Sequence, residues 1–204
     1  MRSITRRVIA AAGALAMAGG VLGAVAVPAS ADSADTVAYA VQSDGPFGFL
    51  PPIGFTSSPG PSFAHLPAIP VFGFVGLVGI RDRAFPDYAE SDIASVSIKV
   101  PHDGSPVLWA YNVEAFCSTN NDGGDATGGT ELQLGRIWFG NTPFFLPNEP
   151  DPDTWYHVPG FGAIELNHQH LNNDGDITVI AIRAFTHGQR VSIGVVRCEG
   201  DEDD

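Results

Sequence analysis

Residues 177–185 read ITVIAIRAF and residues 191–197 read VSIGVVR, two short runs dominated by Val, Ile and Ala. β-Branched and aromatic side chains fit a pleated surface and crowd the preceding turn of a helix, so runs of this length and composition predict β-strands. The same signature recurs upstream in residues 36–42, 93–100 (IASVSIKV), 107–116 (VLWAYNVEAF) and 131–139 (ELQLGRIWF). Between the runs lie Asp103-Gly104, Asn121-Asp122-Gly123 and Asn173-Asp174-Gly175. Such pairs tolerate the positive φ that tight strand connections need. Long apolar stripes of helical period are absent, and 24 Gly with 16 Pro break the chain every few residues. The fold expected is all-β: an antiparallel β-sandwich or a barrel-like domain.

Outward from this block, the N-terminus reads as an export signal. Arg2, Arg6 and Arg7 precede an uncharged Ala/Gly/Val/Leu run, and Ala29-Ser30-Ala31 supplies the small residues of a cleavage site. Residues 1–31 are therefore expected to be removed, by the general secretory route or, given Arg6-Arg7, the twin-arginine one. The remaining chain, 32–204, keeps 7 basic and all 23 acidic residues, a net charge of −16. A surface so acidic repels nucleic acid and anionic lipid, both of which are bound through Lys and Arg. Residues 69–80 are apolar but too few to cross a bilayer as a helix. The expected product is secreted, with no membrane span after cleavage.

Residues 32–198 are read as one β-rich domain. Within it, residues 45–70 are rich in Pro, Gly and Phe and are expected to form a semi-rigid arm laid over the sheet. Residues 199–204 form an acidic tail. Two cysteines, Cys117 and Cys198, in an exported chain point to one disulfide. It would tie strand ends together. Closing a loop of roughly 80 residues contributes at most about 4–4.5 kcal/mol in the chain-entropy model.

The block between the cysteines resembles the choice-of-anchor P family of exported actinobacterial proteins. The matching pieces are Phe116-Cys117-Ser118, residues 132–139 followed by Gly140, Pro147-Asn148, residues 159–167 (PGFGAIELN), residues 178–182 and Val195-Val196-Arg197-Cys198. Ala38-Tyr39-Ala40-Val41 ahead of the Pro/Gly-rich stretch is similar too. The resemblance implies a β-rich secreted or envelope-associated domain, with no known activity or ligand and no functional residues to carry over. His168 stands where an acidic residue is usual, and an acidic tail stands where members carry an anchor.

Three groups of residues invite a site. His168 and His170, at i and i+2, would share one face of a strand, where a metal with His157 or Glu165 as third ligand could sit. A plain polar pair on an edge strand is the expected reading. The oxygen-rich loops at 120–125 and 172–176 offer Asp122, Asp125, Asp174 and Asp176 to Ca²⁺, but neither has the helix–loop–helix calcium pattern, and turn chemistry accounts for both. Residues 149–153 (EPDPD) form a solvated loop or an acidic lip. Trp109, Trp138, Trp155, Tyr111 and Tyr156 could stack on sugars, although bulky aromatics on strands are expected to fill the core. Gly-x-Ser-x-Gly, His-Glu-x-x-His and the phosphate-loop motif are absent. No cofactor and no catalytic residue is expected. The function expected is a non-enzymatic secreted or cell-envelope β-domain that contacts cell-wall or extracellular surface components. The alternative is an exported hydrolase or carbohydrate-binding module with an acidic, aromatic-lined cleft.

Overall fold

The computed structural model describes residues 36–58, 62–120 and 124–199. The export signal, the tail beyond Glu199 and Asp122 lie outside the described residues. Among the described residues there are thirteen strands and no helix. They are β1 (Thr36–Asp44), β2 (Leu50–Ile53), β3 (Thr56–Ser57), β4 (Ser62–Val71), β5 (Val75–Phe85), β6 (Tyr88–Lys99) and β7 (Pro106–Asn120). Then follow β8 (Gly124–Phe139), β9 (Thr142–Phe145), β10 (Thr154–Val158), β11 (Gly162–Leu171), β12 (Ile177–Thr186) and β13 (Gln189–Cys198). One sheet has the order β10-β11-β12-β13-β1-β2, with β3 also on β1; the other runs β4-β5-β6-β7-β8-β9. All pairings are antiparallel. From β1 to β3 the described chain lies in the first sheet; it then meanders through the second as β4 to β9 and returns at 146–153, so that β13 lies beside β1. The two sheets pack face to face as a β-sandwich.

Proline sets the order. Pro51 and Pro52 lie in β2, Pro67 and Pro70 in β4, and Pro143 in β9, all strands at a sheet edge. A residue without an N–H cannot serve two neighbours, so these segments could not be central. The described part of the expected arm at 45–70 is thus not laid over a sheet face: β2 and β3 lie at one edge of the first sheet and β4 at one edge of the second.

Turns follow the chemistry of positive φ. β12 and β13 are joined by His187 (φ 50°) and Gly188 (φ 79°), and β4 and β5 by a turn holding Phe72 (φ 49°) and Gly73 (φ 74°). Two successive left-handed residues twist the strands in the hand a hairpin requires. The apolar run 69–80 is accordingly a hairpin rather than one strand.

Each strand that spans the sandwich changes face once, along a row that crosses its sheet. In β1 the inward residues are Ala38 and Ala40, then Val41 and Ser43; in β12, Val179 and Ala181, then Ile182 and Ala184. Regular pleating would alternate without a break. In β7, Leu108 and Ala110 point inward, then Val113, Ala115 and Cys117. The break falls at left-handed residues on several strands: Asn167 (φ 52°) and Gly194 (φ 62°) in one sheet, and Gly79 (φ 67°), Asn112 (φ 42°) and Leu134 (φ 50°) in the other. Neighbouring strands change together, so Leu166↔Ile182 and His168↔Ile180 keep one register on either side of the break.

The core between the sheets is mainly aliphatic, built from Ile, Leu, Val and many Ala, with Phe74 and Phe161 as its buried aromatics. The expected aromatics are elsewhere: Trp109, Tyr111 and Trp155 are exposed, and Trp138 and Tyr156 only partly covered. Sheet contact is too close for them; a Cβ built at Gly194 would lie 3.2 Å from that of Ala181 and 3.8 Å from that of Ala115 on the opposite sheet. The Cys117–Cys198 disulfide is present, with Cα atoms 5.9 Å apart, and both residues are fully buried. It joins β7 of one sheet to β13 of the other, so it staples the sandwich rather than strand ends within a sheet. Cys198 pairs with Thr36, so the same bond anchors the start of β1 as well as the end of β13.

One core position is ionisable. Asp82, on β5, is completely buried. Its Oδ1 accepts a 2.5 Å hydrogen bond from Ser91 Oγ, while its Oδ2 accepts no well-directed hydrogen bond. The Oδ2 presses on Gly54, where a Cβ would come within 2.2 Å. Burial pushes the carboxyl up to about 7; the Ser91 bond pulls the other way, the Asp92 charge adds to the rise, and the Ala40 backbone N–H pulls weakly down.

Candidate functional site

The outer face of the second sheet gathers most of the exposed chemistry. Arg81, Asp92, Glu114 and Glu131 lie directly opposite one another on β5, β6, β7 and β8. Cross-strand neighbours of this kind hold their Cβ atoms roughly 5 Å apart, and like charges there repel. Glu90 lies two residues from Asp92, pairs with Arg83 at 3.0 Å and accepts a 2.9 Å bond from the Tyr88 hydroxyl. Partial burial first, then the carboxylates Glu90, Glu131 and Asp92, hold the Glu114 carboxyl above its ordinary range. Asp92 is raised by burial and then by Glu90. Burial and the Glu90 partner also push the Tyr88 hydroxyl up.

Beside this row stands an aromatic pair. Trp109 and Tyr111 are 48% and 40% exposed, with ring centroids 5.8 Å apart. Asn112 Nδ2 donates to Gln133 Oε1 at 3.0 Å, which places two amides next to the rings. Tyr111 and Glu114 are three residues apart, a spacing that regular pleating puts on opposite faces. The left-handed Asn112 between them brings both outward. Aromatics, amides and carboxylates thus share one broad surface.

A second group lies on the outer face of the first sheet, made by the same device. Glu165 and His168 flank left-handed Asn167 and come to one side. His168 Nδ1 lies 2.8 Å from Asp153 Oδ1 and 3.2 Å from Glu165 Oε1. Glu165 also pairs with Arg183 at 2.9 Å, and Arg183 covers the Phe185 ring on which Trp155 stacks. Asn167 holds the crossover in place, its Nδ2 donating to Pro150 O at 2.8 Å and its carbonyl accepting from Asp153 N at 2.9 Å.

The expected residues are distributed as follows. His168 is in this group, beside Glu165. Asp153, from the 149–153 segment read as a solvated loop or an acidic lip, was not foreseen as a partner. His170 is exposed at the end of β11 and is not among the converging atoms. His157 lines a different, shallow cleft with Gly162, Phe185 and His187. Ala126, just past the first oxygen-rich loop, donates its N–H to Gly175 O of the second at 3.1 Å. The internal contacts of the 172–176 loop are those of a turn: Asn172 Oδ1 accepts from the N–H groups of Asp174 and Asp176, both at 2.9 Å, and Asp176 pairs with Arg197 at 2.7 Å. Asp125 and Asp174 are exposed. What could have revealed both surfaces in the sequence is an Asn inside an apolar strand run, since Asn enters the left-handed region most readily after Gly.

Compared with protein-family models, with curated proteins and with solved structures, the chain matches none.

Proposed function

We propose that this chain is an exported, non-catalytic surface-interaction domain that binds neutral polysaccharide of the cell envelope or its surroundings. The observation that carries this reading is the union of the Trp109–Tyr111 pair with the amides of Asn112 and Gln133 and the row Asp92, Glu114, Glu131 on one open sheet face. Pyranose rings stack their C–H faces on aromatic rings, while carboxylates and amides bond the hydroxyls. The acidic surface turns away polyanions, which leaves neutral or amino sugars. The buried disulfide fits an oxidising compartment, and the likeness to choice-of-anchor P proteins fits an envelope setting. The test is a glycan array with the mature chain. Binding to a family of neutral polysaccharides, weakened in Glu114→Gln, is the expected result; no binding to any glycan, or binding unchanged in that variant, would contradict it.

The raised carboxyls of Asp92 and Glu114 favour a second reading, glycoside hydrolysis, in which one acts as the proton donor and an ionised neighbour as nucleophile or base. Release of reducing ends from a bound polysaccharide, abolished in Glu114→Gln, would establish it.

A further inference from the structure

We propose that Asp153, Glu165 and His168 bind a divalent transition-metal ion of the zinc class. The three offer two carboxylate oxygens and an imidazole nitrogen, all within 4.8 Å of one another. Around a tetrahedral ion at zinc distances, ligand atoms lie about 3.4 Å apart. His168 Nδ1 is 2.8 and 3.2 Å from the two oxygens, so an ion needs the group to open by about half an ångström. A neutral imidazole presents one lone pair or one proton at Nδ1, and here two carboxylates face that single atom. A cation bound to all three meets every demand at once.

The surroundings fit a ligand set. Glu165 is 2% exposed. Its Oε2 lies 2.9 Å from Arg183 Nη1 yet accepts no well-directed hydrogen bond. Arg183 therefore neutralises and orients the far side of the carboxylate while Oε1 points into the group, as a second layer does behind a ligating carboxylate. Its guanidinium is itself held 5.1 Å above the Phe185 ring. On the open side, the Asp153 side chain is half-exposed and that of His168 a quarter, which gives an ion an entry path and room for water or an outside ligand. One nitrogen with two oxygens suits zinc or manganese; calcium and magnesium prefer oxygen alone. The ion would clamp the 146–153 crossover, which links the two sheets, onto β11.

The test uses the mature chain stripped with chelator, with Zn²⁺ alone as the probe, followed by calorimetric titration and by thermal unfolding. One ion per chain and a saturable rise in Tm are expected. Asp153→Asn and His168→Gln should each weaken binding by roughly 10- to 100-fold. His170→Gln should leave it unchanged, and circular dichroism of the apo-proteins checks that each variant folds. No saturable binding at millimolar Zn²⁺ would overturn the proposal. So would binding that survives His168→Gln or is lost in His170→Gln.

Discussion

Asp82→Asn should make the protein more stable at neutral pH than the natural chain. Asp82 is completely buried, with one oxygen bonded to Ser91 and the other accepting no well-directed hydrogen bond, only the weak pull of the Ala40 backbone N–H. Its carboxyl is pushed from 3.8 in the unfolded chain to about 7 when folded. A raised folded value means the native state holds the proton more tightly. The stability that Asp82 allows is therefore complete below about pH 4, erodes as pH rises, and is fully lost above about pH 7. A shift of about three units corresponds to about 4 kcal/mol. Asparagine keeps the shape, never ionises and removes that slope. Urea unfolding followed by tryptophan fluorescence measures the effect. At about pH 8 the variant should exceed the natural chain by about 2–4 kcal/mol, the lower bound allowing for the amide's own unmet donor; at about pH 4 the advantage should vanish or reverse. Equal pH slopes in the two proteins would refute the reasoning, and so would a variant less stable at about pH 8.

Other outcomes follow from the same physics. Replacing both Cys117 and Cys198 with Ala should lower unfolding stability by about 2–4.5 kcal/mol, since the bond closes a separation of 81 residues; chemical denaturation tests this, and a loss under about 1 kcal/mol would count against the staple. Glu114→Gln relieves repulsion from Asp92 and Glu131, so it should raise stability by about 0.5–1 kcal/mol at neutral pH. Because the Glu114 carboxyl is raised, that gain should fade in acid as the natural residue takes up its proton; a gain that persists there would contradict it. Leu134 is 66% exposed at φ 50°, so Leu134→Gly should release backbone strain and add about 0.5–1 kcal/mol, read as a higher Tm; a lower Tm would show that the exposed side chain matters more.

Much of the fold was legible. The Val- and Ile-rich runs at 177–185 and 191–197 became β12 and β13, adjacent central strands, and the run at 107–116 became the middle of β7. The edge strands were harder to see, because β2, β4 and β9 carry prolines that read as linker until a sheet edge explains them. The spacing of Ile93, Val96 and Ile98 signalled a strand but not the change of face within it. That change is local backbone strain at residues such as Leu134 and Asn167, and a pattern of apolar residues does not report it. It decided both candidate surfaces: Tyr111 meets Glu114, and Glu165 meets His168, only because a left-handed residue intervenes. The role of Asp153 was hidden for another reason. It arrives from the crossover between sheets, so its neighbours are set by tertiary packing and not by spacing along the chain.

The central claim is that the outer face of the second sheet is the binding surface. Trp109 and Trp155 provide a matched comparison, being 48% and 47% exposed on opposite faces of the sandwich. The most direct measurement is therefore the affinity of the natural chain, Trp109→Ala and Trp155→Ala for the polysaccharide that the array selects, by calorimetric titration. Loss of a stacking platform, worth about 1–3 kcal/mol by analogy with stacking on nucleobases, should weaken Trp109→Ala by roughly 5- to 150-fold and leave Trp155→Ala unchanged. Equal affinities for the natural chain and Trp109→Ala, or a loss in Trp155→Ala instead, would contradict the account.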